Sequence, residues 1–159
     1  MSERTRDARV EVVPYEAKYQ DAFRRLNEAW ISRYFRIEEP DSRVLEAPKE
    51  KILDTGGHIL VAVRDGEPIG VCALLRVDDS TFELAKMAGA EHARGLGAGY
   101  LLGEAAKATA RDAGASRLIL ESNTILTPAI TLYRKLGFTE FTGVPSEYNR
   151  CNIHMELDL

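Results

Sequence analysis

Residues 86–102 read KMAGAEHARGLGAGYLL, and the middle of that stretch, Arg94 to Gly99, decides how the rest is read. Gly95, Gly97 and Gly99 stand just before Tyr100 to Ala113, a run rich in the strong helix formers Ala, Leu, Glu and Lys, and Gly114 follows as a C-terminal stop. A glycine loop therefore opens a helix. The first amides of a helix have no intrahelical acceptor and the helix dipole is positive there, so backbone alone can hold a phosphate, and glycine lets it come close. Glycines at this spacing also suit a tight turn or close helix packing, so the surroundings must decide.

Upstream, Val10 to Val13 is a β-branched run ended by Pro14, and Tyr15 to Tyr34 places Phe23, Leu26, Trp30 and Tyr34 at helical spacings. Between Phe35 and Asp54 the pattern predicts a loop, then a second helix with Val44, Leu45, Ile52 and Leu53 as its apolar positions. His58 to Val63 and Pro68 to Val77 read as strands joined by Asp65-Gly66, a dipeptide that favours a two-residue hairpin turn. Asp78 to Ser80 turns the chain into a third antiparallel strand, Thr81 to Ala88.

Downstream of the glycine helix, Arg117 to Glu121 is strand-like, and Thr127-Pro128 reads as an N-cap followed by proline at the first helical position. That helix ends at Gly137, and Thr139 to Phe141 and Ile153 to Leu157 close the chain as strands. The order is βααβββαβαββ, an α/β fold with a mixed sheet and helices on its faces. A single domain over residues 1–159 is expected, since a chain of this length buries most of its apolar surface unaided.

With 45% apolar and 29% charged residues the composition is globular, and a net charge of -4 lacks the basic footprint of a nucleic-acid binder. No apolar run approaches the roughly 18 residues that span a bilayer, and MSERTRDARVEVV lacks a signal core, so a cytoplasmic protein without membrane attachment is expected. Cys72 and Cys151 read as reduced thiols. His58, His92 and His154 are scattered with no ligand spacing to the cysteines, so no metal is expected.

A Walker loop needs Lys and then Ser or Thr after its last glycine, where this chain has Tyr100 and Leu101 after Gly99. A dinucleotide fingerprint needs a third glycine where Tyr100 or Leu102 stands. What remains is Arg, two residues, Gly, one residue, Gly, at Arg94, Gly97 and Gly99. This segment resembles motif A of the GNAT (Gcn5-related N-acetyltransferase) superfamily. Leu132 to Phe138, LYRKLGF, resembles the superfamily's later LYxKxGF helix end, about 40 residues on, and the element order agrees with its fold.

The resemblance implies an acetyl-coenzyme A-dependent N-acetyltransferase. It implies that backbone groups of Met87, Ala88 and Gly89 bond the pantetheine arm and the thioester carbonyl, and that the amides of Arg94, Gly95, Leu96, Gly97, Ala98 and Gly99 hold the pyrophosphate. Gly89 stands where relatives usually carry a branched apolar residue, and Glu91 where they often carry proline. Asn123 is the counterpart of a cofactor-bonding asparagine, although the usual spacing falls on Leu126. The family also implies a capacity to form homodimers.

The chemistry asks for a base and an acid. An alkylamine with a pKa of about 10 is roughly a thousandth deprotonated at neutral pH, a handicap of roughly 4 kcal/mol for attack on a thioester. Glu83, on the strand leading to the loop, is the candidate general base; strand alternation puts it on the face of Ala85 and Met87. Glu121 is a second choice. Collapse of the tetrahedral intermediate expels a thiolate, and Tyr133 matches the family tyrosine that protonates it. A backbone amide near Met87 or Ala88 would stabilise the oxyanion. Cys72, inside an apolar run, is expected to be a core thiol, so attack is direct through a ternary complex with no acyl-enzyme.

Trp30 to Leu45 covers the region that shapes the acceptor pocket in the family, where Glu38, Glu39 and Asp41 could attract a cationic amine. The identity of that amine is not legible. The alternative is a non-catalytic acyl-coenzyme A sensor, which would keep Arg94 to Gly99 but tolerate loss of Glu83 and Tyr133.

Overall fold

A computed structural model describes residues 9–143 and 145–159. The chain forms β1 (Glu11–Pro14), a 3-10 turn (Ala17–Tyr19), α1 (Gln20–Tyr34), α2 (Glu39–Glu46), a π turn (Lys49–Leu53), β2 (His58–Arg64), β3 (Glu67–Arg76) and β4 (Thr81–Gly89). A 3-10 turn (Glu91–Ala93), α3 (Ala98–Asp112), β5 (Arg117–Ser122), α4 (Thr127–Leu136), β6 (Thr139–Phe141) and β7 (Ile153–Asp158) follow. The strands make one mixed sheet in the order β1-β2-β3-β4-β5-β7-β6. The α/β architecture and the order read from the sequence are those observed.

Local chemistry sets the boundaries. Asp65 and Gly66 both have positive φ, 53° and 78°, which is the two-residue turn whose twist matches a β-hairpin. The helix expected between residues 35 and 54 divides in two. Glu38 and Asp41 form a reciprocal capping box at the start of α2, while Ala47, preceding Pro48, leaves the helical region at φ -137°, ψ 59°. The start of α4 corrects the expected cap: Leu126 occupies the N-cap, Thr127 is already helical, and no side chain caps the first turn. Gly137 ends α4 at φ 109°.

Each face of the sheet carries its own core. Leu102, Ala106 and Ala110 of α3 and Leu136 of α4 pack on Leu60, Cys72, Leu74, Phe82, Leu84, Leu118, Leu120 and Met155. Phe23 and Leu26 of α1, with Leu45 and Ile52, pack on Ile59, Val61, Val71 and Ala73 of the opposite face. Alanines at positions 106 and 110 keep α3 close to the strands, and Gly103 and Gly99 do the same between helices. A Cβ on Gly103 would lie 2.4 Å from Leu136, and one on Gly99 3.0 Å from Leu132.

Two irregularities open the middle of the sheet. β4 and β5 are parallel but pair only from Thr81↔Arg117 to Glu83↔Ile119. Beyond Glu83, β4 stays with β3 as far as Gly89, while β5 stays with β7 as far as Ser122. The β5-facing edge of β4 is therefore free over its second half. Within that half, Val71 pairs with Ala88 and Ala73 with Ala85, so Cys72 alone opposes Lys86 and Met87. This is a β-bulge, with Lys86 at φ 52°. Among the described residues no helix is long and apolar enough to cross a membrane.

Candidate active site

The bulge corrects the expected alternation along β4. Leu84 packs in the core under α3, yet Ala88, four residues on, packs in the core under α1. Met87 leans toward the α3 side with Phe82 and Leu84, so Glu83 does not share its face. The charged neighbour of Glu83 from the bulge is Lys86 instead.

Glu83 stands at the fork of β4 and β5. Burial pushes its carboxyl up, the Glu121 carboxylate pushes further and Glu147 adds to this, while Lys86 pulls back; the result is about 7. A carboxyl at that value is neutral or ionised with little cost either way near neutral pH, which suits proton transfer.

Lys86 is fixed by a buried network. Its Nζ donates to Asp41 Oδ1 at 2.5 Å and to the Tyr148 hydroxyl at 3.1 Å. Arg150 grips the same carboxylate with both arms, Nη2 donating to Oδ1 at 2.6 Å and Nη1 to Oδ2 at 2.7 Å, and reaches Glu38 at 3.4 Å. Asp41 is fully buried. Burial pushes it up, but the hydrogen bonds from Arg150 and Lys86 outweigh this and hold it down at about 2. The expectation that Glu38, Glu39 and Asp41 attract an acceptor fails for a clear reason. Asp41 and Glu38 are neutralised from within, and Glu39 pairs with Arg43 at 2.9 Å.

The glycine loop lies at the C-terminal end of β4. Gly95 and Gly97 have φ 84° and 79°, and a Cβ on either would meet nothing within 4 Å. Conformation, not crowding, demands glycine there, and the space above the loop is open. Leu101 N donates to Gly97 O at 3.1 Å as the first bond of α3, so the amides of Ala98, Gly99 and Tyr100 precede any helical acceptor. Arg94 is exposed and pairs with Glu91 at 3.1 Å. Glu91 also holds Arg33 from the end of α1, tying that helix to the loop. The donors and the open space fit a pyrophosphate.

Since β4 and β5 run parallel, α3 and α4 both begin at the same end of the sheet, the usual place for a ligand in such a fold. Tyr133 follows Leu132, the α4 residue that touches Gly99. Its ring meets Phe138 edge-on at 6.1 Å, and burial, then Cys72, push its phenol up to about 12, so it stays protonated. Asn123 has both ends of its amide engaged, Nδ2 donating to Arg150 O at 2.7 Å and Oδ1 accepting from Ile125 N at 2.9 Å. A cofactor role for it competes with these loop bonds. Trp30 is half-buried, stacks edge-on with Phe35 at 6.4 Å and donates to Asn27, while Tyr34 is exposed.

Both cysteines are free, and Cys72 is fully buried with its thiol pushed up to about 12, a core thiol as expected. The expected scatter of histidines fails at one point. Cys151 Sγ lies 3.8 Å from His154 Nε2, and His154 Nδ1 lies 4.0 Å from Glu121 Oε2. The spacing Cys-x-x-His was present in the sequence, but Glu121 joins it only through the pairing Glu121↔His154 across β5 and β7.

Comparison with known proteins agrees with this geometry. Residues 20–138 match the Acetyltransferase (GNAT) family. Among solved structures, a GNAT-family acetyltransferase from Staphylococcus aureus Mu50 has a TM-score of 0.85 at 19% identity, covering 94% of this chain and 98% of its own. An acetyltransferase from Streptococcus agalactiae has a TM-score of 0.81 at 22% identity, covering 94% and 98%. The yncA protein of Salmonella typhimurium, solved with acetyl-CoA as its cofactor, has 0.75 at 19%, covering 94% and 93%. No match is found among curated proteins. A family match over more than half of its length, with the fold of these relatives, places the chain in the GNAT acetyltransferase family.

Proposed function

We propose that this chain, acting as one domain over residues 1–159, transfers acetyl from acetyl-CoA to a primary amine by direct attack in a ternary complex. The observation that carries the reading is the position of Glu83: a carboxyl held at about 7, at the point where β4 and β5 part. Bound acetyl-CoA, found with the yncA relative, would supply the activated acyl group as a thioester.

The chain's own residues divide the work. The amides of Gly95, Gly97, Ala98 and Gly99 and the first turn of α3 bind the pyrophosphate with the helix dipole behind them, whereas those expected of Arg94 and Leu96 already donate to Glu91 O and Ala93 O. Backbone groups of Met87, Ala88 and Gly89, on the free edge of β4, hold the pantetheine arm. An amide near Met87 or Ala88 stabilises charge developing on the carbonyl oxygen, a contribution of roughly 3–4 kcal/mol in comparable sites. Glu83 Oε accepts a proton from the incoming ammonium, and Tyr133 Oη donates one to the departing sulfur. The Asp41, Lys86 and Arg150 network holds the bulge that separates Met87 from the Glu83 face.

The experiment is release of free thiol from acetyl-CoA across a panel of primary amines, with wild type, Glu83→Gln and Tyr133→Phe compared. Amine-dependent release that both substitutions depress supports the reading. Binding of acetyl-CoA with no release from any amine, and no effect of either substitution, points to a sensor instead.

A further inference from the structure

Glu121, Cys151 and His154 transfer no proton in the chemistry just described, although the Glu121 carboxylate helps to raise Glu83, and they meet from three directions. β5 supplies Glu121, β7 supplies His154 directly opposite it, and the loop entering β7 supplies Cys151. One ligand atom from each lies within 4.8 Å of the others, and all three side chains are half-buried. Among the described residues no lysine or arginine pairs with Glu121, and His154 Nδ1 lies 4.0 Å from its Oε2.

We propose that Glu121, Cys151 and His154 form a binding site for a thiophilic divalent cation of the zinc type. The separation of 3.8 Å between Cys151 Sγ and His154 Nε2 sets the geometry. With bonds of about 2.3 Å to sulfur and about 2.0 Å to nitrogen, an ion spanning that gap subtends an angle of about 120°, close to tetrahedral. A carboxylate oxygen bonds at about 2.0–2.2 Å, so Glu121, whose ligand oxygen already lies within 4.8 Å of the other two ligand atoms, closes on the same ion by side-chain rotation.

Ser146 Oγ donates to Glu121 Oε1 at 2.6 Å, the kind of outer hydrogen bond that orients a ligating carboxylate and leaves Oε2 for the ion. Binding converts the Cys151 thiol to thiolate and releases its proton to solvent. Thiolate and carboxylate then balance the two positive charges, with neutral imidazole as the third ligand and water in the fourth position. Softness of the sulfur favours zinc or cobalt over magnesium or calcium.

The test uses the full chain, freed of metal by a chelator and kept reduced, and titrated with cobalt(II). Binding of one equivalent with a thiolate-to-cobalt charge-transfer band and visible bands of tetrahedral intensity is expected. The wild-type band alone reports sulfur ligation. Cys151→Ser abolishes it, whereas Cys72→Ala leaves it unchanged because that thiol is sealed in the core. Zinc displaces the cobalt, and Glu121→Gln and His154→Gln each weaken zinc at least tenfold against a chromogenic chelator, with circular dichroism confirming a wild-type fold. Cobalt bound without the charge-transfer band, or zinc affinity unchanged in Cys151→Ser, overturns the site and assigns binding to exposed groups such as His92 and Glu67. None of these readouts depends on acetyl transfer.

Discussion

Glu83 lies opposite Ile119 at the last paired position of β4 and β5, so its carboxyl stands where the two parallel strands part. The same parting leaves the edge of β4 without a neighbour from Leu84 to Gly89 and gives an extended ligand arm a backbone to lie along. Position and acidity coincide, since burial and Glu121 raise Glu83 to about 7 at that spot.

The pH profile follows from this. Glu83 is protonated and cannot accept a proton below about 7, so kcat/KM rises through that pH and levels above it. Glu83→Gln abolishes the limb and lowers the rate by roughly 10² to 10⁴-fold. A rate flat between pH 5.5 and 8.5 in the wild type would remove Glu83 from the base role.

Tyr133 sets no opposing limb in the ordinary range. Its phenol, raised to about 12, remains a proton donor, so no alkaline loss is expected below about pH 10. Tyr133→Phe lowers kcat by roughly 10² to 10⁴-fold with the KM for acetyl-CoA nearly unchanged. Steady-state kinetics showing KM raised and kcat retained would make Tyr133 a packing residue only.

Glu83 also carries a stability cost. Its folded value of about 7 exceeds the ordinary 4.5, so the fold disfavours the ionised form. The penalty is absent below about pH 4.5, grows up to pH 7 and is constant above, reaching on the order of 3 kcal/mol. Glu83→Gln is therefore expected to melt several degrees higher than wild type at pH 8 and together with it at pH 4. Identical melting at pH 8 would contradict the burial of a charge there.

Asp41 works in the other direction. Its folded value of about 2 lies below the ordinary 3.8, so it contributes about 2 kcal/mol that is present above pH 4 and lost as pH falls from about 4 to 2. Asp41→Asn leaves Lys86 without its partner carboxylate and Arg150 with only Glu38 at 3.4 Å, and is expected to cost roughly 3–5 kcal/mol at pH 7. Urea denaturation measures it; a loss below 1 kcal/mol would mean the network relaxes into solvent.

Two glycines separate binding from packing. Ala at Gly97 is strained by roughly 1–2 kcal/mol at φ 79° and distorts the loop, so acetyl-CoA affinity is expected to fall tenfold or more. Ala at Gly103 meets buried Leu136 and costs about 1–3 kcal/mol of stability while affinity holds. Calorimetric titration paired with thermal melts distinguishes the two, and equal affinities would separate the loop from the ligand.

Much of the fold was legible because it rests on local signals. The glycine loop before α3, the Asp65-Gly66 hairpin and the alternation of β7 each declare themselves within a few residues. The bulge at Lys86 did not, because it depends on Cys72 of a neighbouring strand and on a carboxylate 45 positions away in Asp41. For the same reason Glu38 and Asp41 looked like free loop acids, although their partner Arg150 lies over a hundred residues on. Glu83 was visible as a strand carboxylate, but its raised pKa comes from burial and from Glu121, which only the assembled sheet supplies.

Amine-dependent release of thiol from acetyl-CoA, followed from pH 5.5 to 8.5 in wild type and Glu83→Gln, tests the central claim most directly. The account predicts release that requires an amine, rises through an apparent pKa near 7 and collapses in the variant. Tight binding of acetyl-CoA with no amine-dependent release at any pH, or release indifferent to Glu83, would contradict it.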